Sequence, residues 1–155
     1  MGPDLEKAIL EINLRMRLLK ATQEDESLSE GLTERDVMIL ELLSERGKMT
    51  VSQIAAANPN ISDSTISTNI TKLWREKQMV SKTISPQNQR TTIVELTDKG
   101  KKAIGLVNKQ RAERFNTLFH ALEVTDGEKD VLLKILNRAI PFFDKHLGFD
   151  KSTKL

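Results

Sequence analysis

Seven hydrophilic side chains between positions 62 and 75 hold the chemistry of this chain: Ser62, Ser64, Thr65, Thr68, Thr71, Lys72 and Arg75. At about 100° per residue they gather on one side of a helix running from Ser62 to Met79, while Ile66, Ile70, Leu73 and Trp74 gather on the other. Hydroxyls both donate and accept hydrogen bonds, and lysine and arginine attract anions. Together they suit a polyanion whose edges display donors and acceptors, and duplex DNA has that chemistry. Its major groove, about 12 Å wide, admits one α-helix. Ser64, Thr65 and Thr68 lie in the first turns, the end that docks deepest when a helix enters the groove. Lys72 and Arg75 follow on the same face, where phosphates would pass. Backbone N–H groups at the Ser62 end can hold a further phosphate, aided by the helix dipole. Serine and threonine are mediocre helix formers, so this many on one exposed face is a local cost that asks for a reason.

A second group lies just downstream. After Met79 the period drops to two: Val80, Lys82 and Ile84 alternate with Ser81, Thr83 and Ser85, and the stretch from Thr91 to Thr97 is β-branched and alternating. Pro86 and Asn88 mark the turn between. This predicts a hairpin with Lys82 on its incoming strand and Asn88, Gln89 and Arg90 beside its tip. A narrow, A·T-rich minor groove concentrates negative potential, and an inserted arginine responds to it. Arg90 is the only arginine in the hairpin.

The remaining elements must position these two. Thr33-Glu34-Arg35-Asp36 has the form of a helix N-cap with an acidic residue three positions on, and Val37, Leu40 and Leu43 continue that helix to a stop at Gly47. Thr50 and Gln53 predict a capping box opening a short helix, which Asn58-Pro59 ends because a residue before proline is pushed out of helical geometry. The first helix, from about Asp4 to Lys20, carries Leu5, Ile9, Ile12, Met16 and Leu19 as one stripe and Leu10, Leu14 and Leu18 as another. A helix apolar on two sides must be covered on two sides, and a second subunit is the expected cover. Gln23 to Gly31 reads as a loop. Beyond the hairpin, a long helix from Asp98 to about Leu122 presents Ile104, Val107, Phe115, Leu118, Phe119 and Leu122. Thr125 and Glu128 predict a third box, opening a helix with Val131, Leu132, Ile135, Leu136 and Ile140. Pro141 is expected to kink or restart it before Phe142 and Phe143.

Composition narrows the classes. With 155 residues the chain can bury a real core in one domain or two small ones. No apolar run approaches the ~20 residues needed to cross a bilayer, and no signal-peptide pattern opens the sequence, so a cytoplasmic location without membrane contact is expected. The absence of cysteine excludes disulfides and thiol redox switching. His120 and His146, 26 residues apart, are the only histidines; no nucleophile or glycine-rich phosphate loop stands out. Neither an enzyme nor a cofactor is expected. The net charge of +2 hides a pattern: residues 1–47 carry 6 basic and 11 acidic side chains, 48–118 carry 12 and 5, and 119–155 carry 6 and 6. The central segment, at net +7, is the one that would meet phosphates.

The run from Leu32-Thr33 to Gly100 resembles the MarR (multiple antibiotic resistance regulator) family of winged helix-turn-helix transcription factors. The resemblance rests on the Leu32-Thr33 helix start, the two short helices, a wing ending in Arg90-Thr91, and Leu96-Thr97-Asp98-Lys99-Gly100, which fits the family's Leu-Thr-x-x-Gly. It implies a mainly α fold with a small β-hairpin wing, an N-terminal dimerisation helix and loop over 4–31, a winged helix-turn-helix over 32–97, and long dimerisation helices over 98–149. The partners it implies are a near-palindromic duplex, a second copy held through Leu5, Ile9, Ile12, Met16, Leu19, Ile135, Phe142 and Phe143, and a small aromatic or phenolic effector that releases DNA. Arg15 and Arg17 are candidates to face an effector crevice. Where the family's wing reads Asp-x-Arg, this chain has Asn88-Gln89-Arg90, so the group orienting the arginine keeps an acceptor but loses its charge. Two further readings remain: a winged-helix protein-interaction scaffold without specific DNA binding, and a metal-responsive regulator.

Overall fold

The computed structural model describes residues 3–22 and 31–149. The chain divides into two compact units, Met1–Thr33 and Glu34–Leu155. The first holds helix α1 (Pro3–Thr22), whose first turn carries Asp4 and Glu6 beside the positive end of the helix dipole. Both expected stripes are present, and all eight of their apolar side chains are exposed. Arg15 is exposed and pairs with Glu11 one turn away at 3.6 Å. The loop expected over Gln23–Gly31 lies, apart from Gly31, outside the described residues.

The second unit opens with α2 (Glu34–Arg46), which buries Val37, Ile39, Leu40 and Leu43. Gly47 ends it in the left-handed region (φ +76°), returning its N–H to the Leu43 carbonyl. A two-residue strand follows, β1 (Met49–Thr50), then α3 (Val51–Ala56) behind the expected Thr50–Gln53 capping box. Helix α3 stops two residues before Asn58, whose buried side chain donates to the Ile54 carbonyl at 2.8 Å. Helix α4 (Asp63–Arg75) is capped by Ser62. It is shorter than the sequence suggests: Gln78 turns left-handed (φ +56°), and Met79 folds back so that its N–H reaches the Leu73 carbonyl and its side chain is fully buried.

Strands β2 (Val80–Ile84) and β3 (Thr92–Leu96) form the expected hairpin, with Val80 opposite Leu96 and Ile84 opposite Thr92. Strand β1 lies on the other edge of β3, giving a three-stranded antiparallel sheet of order β1-β3-β2. The core lies between this sheet and α2, α3 and α4, where Leu40, Ile54, Ile66, Ile70, Leu73 and Val94 are fully buried.

Helix α5 (Asp98–Ala121) packs against α2 and β3, burying Gly100, Ile104 and Val107, and near its middle Arg111 bonds Glu41 and pairs with Glu34 of α2. Phe115, Leu118 and Leu122 stay exposed. Helix α6 (Asp126–His146) starts from the Thr125–Glu128 capping box and buries no residue. It runs through Pro141 rather than restarting there. Proline removes one N–H from the helical ladder, and on an exposed helix solvent can serve the carbonyl left over.

A candidate nucleic-acid interface on α4 and the wing

The N-terminus of α4 is a cluster of hydroxyls. Ser62 Oγ accepts from the Thr65 backbone N–H at 3.2 Å and lies 2.7 Å from Thr65 Oγ1 and 3.2 Å from Ser64 Oγ. Ser62 is therefore occupied as a cap, and Ser64 is the freer hydroxyl. One turn on, Thr68 Oγ1 donates to the Ser64 carbonyl at 2.8 Å, which leaves its oxygen lone pairs and its methyl for a partner. Ser67, Thr68, Thr71, Lys72, Arg75 and Glu76 line a shallow hollow along the same flank. Ser67 and Glu76 are additions to the sequence-derived set; both were legible as exposed helical polar residues but carried no distinguishing type.

The cations do not behave alike. Arg75 is exposed, and its guanidinium carbon lies 5.1 Å from the Trp74 ring centroid. Lys82, across on β2, places its Nζ 4.9 Å from the same ring and 3.4 Å from Thr71 Oγ1. Trp74 was expected to join the buried face; it is instead 37% exposed and seats two cations, tying the wing to α4. Lys72 has a protein partner: its Nζ donates to Asp36 Oδ2 at 2.8 Å, and Asp36 is fully buried. Spacing alone put Lys72 on the DNA side; the partner 36 residues earlier in the chain was invisible to it.

At the wing tip the backbone closes through Ser85 N–H to the Thr91 carbonyl and Thr91 N–H to the Asn88 carbonyl. Asn88 Oδ1 accepts from the Arg90 backbone N–H at 3.1 Å. Its side chain thus shapes the turn that carries Arg90, a job that needs an acceptor and no charge. Asn88, Gln89 and Arg90 are all exposed.

The sequence-derived dimerisation residues lie on other elements. Leu5, Ile9, Ile12, Met16 and Leu19 are exposed on α1, and Ile135, Phe142 and Phe143 are exposed on α6, where the two phenylalanine rings meet edge to face at 5.7 Å. Both histidines are exposed, and His146 Nδ1 lies 2.9 Å from the Phe142 carbonyl. Among the described residues, no group of three or more histidine, cysteine, aspartate or glutamate side chains is placed to hold a metal ion, and no helix is long and apolar enough to cross a membrane.

Residues 32–100 match the family model of the winged helix DNA-binding domain. No curated protein matches the sequence. Solved structures do match in fold over nearly the whole chain. A MarR family protein from Bacillus stearothermophilus superposes with a TM-score of 0.71, 20% identity, and coverage of 92% of this chain and 99% of that one. For MarR itself the values are 0.65, 23%, 90% and 97%. For the PcaV transcriptional regulator from Streptomyces coelicolor, solved with its natural ligand, they are 0.57, 20%, 91% and 97%. Residues 32–100 thus match a winged helix DNA-binding domain, and the chain as a whole has the fold seen in MarR family proteins.

Proposed function

We propose that this winged-helix chain is a sequence-specific regulator of transcription that binds a near-palindromic duplex as a homodimer, represses, and lets go when a small aromatic anion binds. The observation that carries the reading is the composite face of α4 and the wing. Ser64, Thr65 and Thr68 stand at the docking end, Arg75 and Lys82 are held on Trp74 where backbone phosphates run, and Arg90 is exposed at the wing tip. In this reading the hydroxyls meet base edges in the major groove, and Arg90 enters the adjoining minor groove.

Helix α6 supports the dimer: it buries nothing, yet carries Ile135, Leu136, Ile140, Phe142 and Phe143. Apolar faces of that extent mark contact surfaces in soluble proteins. The effector is supported by the company the fold keeps, since PcaV was solved with a natural ligand and a MepR-like protein with pseudoligands. Selecting bound sequences from a random duplex pool tests the whole reading. The expected result is a palindrome with half-sites about 34–36 Å apart between centres, lost when a phenolic acid is added. Enrichment of no sequence refutes specific readout, and a monomeric mass by light scattering refutes the dimer. A reporter placed behind the selected site distinguishes repression from activation.

A further inference from the structure

Asp36 stands in the first turn of α2 with no exposed surface. Its two oxygens each take a bond from α4: Oδ1 from Asn69 Nδ2 and Oδ2 from Lys72 Nζ, both at 2.8 Å. Asn69 and Lys72 are three residues apart and so adjacent on the helix surface. One carboxylate therefore holds α4 at two points a turn apart, which fixes the helix against rotation about its own axis. Rotation matters here, because turning α4 would sweep Ser64, Thr65 and Thr68 away from the bases they face.

The same contact governs charge. A buried carboxylate is retained where it is paired and hydrogen-bonded, and removing its partner leaves it uncompensated. The Lys72 side chain is 29% exposed, but its ammonium is bonded to the buried Asp36 carboxylate. To meet a phosphate it would have to abandon Asp36, exchanging a contact in a low-dielectric setting for one beside water. We infer that Asp36 is a positioning residue of the DNA interface, setting the rotation of α4 through Asn69 and Lys72 and withholding the Lys72 charge from the phosphate backbone. This rests on the DNA-binding reading above. It reassigns Lys72 from backbone contact to helix anchor, leaving Arg75 and Lys82 as the cations that α4 and the wing offer to phosphates.

The test compares full-length wild type, Asp36→Asn and the double variant Asp36→Asn/Lys72→Met. Anisotropy titrations use the selected duplex and a scrambled one between 50 and 200 mM salt. Each phosphate contact contributes about 0.9 to the slope of log affinity against log salt, so one contact per protomer is about 1.8 for a dimer. The double variant removes one charge of each sign and leaves neither buried alone. Its slope is expected to equal the wild-type slope, whereas a slope shallower by about 1.8 overturns the inference. Asp36→Asn alone frees Lys72, so its slope should steepen by about the same amount. Its preference for the selected over the scrambled duplex should fall about tenfold, the scale of one base-edge contact. A purely structural role would lower the melting temperature of Asp36→Asn and leave its slope at the wild-type value, which also overturns the inference. If Asp36→Asn fails to fold, the double variant decides alone. Wild-type protein that does not bind duplex DNA would overturn the functional reading itself, an outcome distinct from wild-type binding with a shallower double variant.

Discussion

Replacing Gly100 by alanine should damage the protein far more than the same change five residues later. A Cβ on Gly100 would lie 2.0 Å from the Met79 carbonyl oxygen, 3.0 Å from the Met79 carbonyl carbon and 3.2 Å from Leu96 Cδ2. Ordinary contact begins near 3.4 Å, so helix and carbonyl would have to part by about 1.4 Å (3.4 less 2.0). Both sides of that contact are backbone, and neither can swing away as a side chain would. Parting them also stretches the bond from Thr97 N–H to the same carbonyl, 3.0 Å long. Overpacking of a close contact costs about 1–3 kcal/mol and a lost hydrogen bond about 1 kcal/mol, against a gain of about 0.8–1 kcal/mol from alanine's better helix propensity. The net is a loss of roughly 1–3 kcal/mol, or about 2–12 °C in melting temperature for a chain of this size. Gly105 lies on the same helix and is exposed, and a Cβ there meets nothing within 4 Å. Gly105→Ala should therefore stabilise by about 0.5–1 kcal/mol. Thermal melts of both variants at one protein concentration, fixed because assembly would shift both, make the comparison. Equal shifts of the same sign would refute the close approach of α5 to Met79.

Arg90→Ala should weaken binding about tenfold at operators with A·T-rich flanks and far less at G·C-rich ones; equal loss across flanks in anisotropy titrations would remove the wing arginine from the minor groove. Asn88→Asp, which keeps the acceptor for the Arg90 N–H, should bind like wild type, whereas Asn88→Ala should not, and a reversed order would show that the turn does not depend on that bond. Trp74→Leu should lower DNA affinity about fivefold, since each exposed cation–π seat is worth about 0.5–1 kcal/mol; Trp74→Phe should recover part of the loss, and no loss in either variant would separate Trp74 from the interface. The Glu128 carboxylate accepts chiefly from the Thr125 backbone N–H and secondarily from the Thr125 side chain, which together hold its carboxyl below the ordinary value of 4.5. Its contribution to α6 is thus fully present above that value and lost as pH falls through the lowered one. Side-chain NMR should place the Glu128 midpoint below 4.5 and Thr125→Ala should raise it; a midpoint that ignores Thr125 would refute the reciprocal cap.

Local chemistry in this chain was readable one element at a time. The caps at Thr50, Ser62 and Thr125, the stop at Gly47 and the wing between Val80 and Leu96 all depend on residues within a few positions of one another. Periodicity or capping rules capture such neighbours. Strand β1 escaped because two residues carry no period; its existence depends on Met49 pairing with Val94, 45 positions away. The C-terminal end of α4 escaped for a similar reason. Apolar spacing ran on to Met79, while the helix stops at Arg75 because Met79 has a better place in the core. On the α4 face, residue types were legible and partners were hidden. Trp74 and Lys72 both have the spacing of their helix faces, but a ring against Lys82 and an ammonium against Asp36 are facts of the tertiary fold.

Met79 explains why the pieces of this interface belong together. Its N–H closes the end of α4 onto Leu73, the next residue begins β2, and its carbonyl takes the Thr97 N–H at the threshold of α5. Thr97 adds a bond from its hydroxyl to the Gln78 carbonyl at 2.7 Å while accepting from the Gly100 N–H at 3.2 Å. Helix α4, the wing and α5 therefore share one joint, and only glycine at position 100 lets α5 approach it so closely. Leu-Thr-x-x-Gly acquires a physical meaning here: leucine ends the wing strand, threonine caps the helix and binds the turn, and glycine clears the carbonyl. Helix α4 is therefore anchored twice, through the bonds of Asn69 and Lys72 to Asp36 and through the Met79 joint that Gly100 leaves room for.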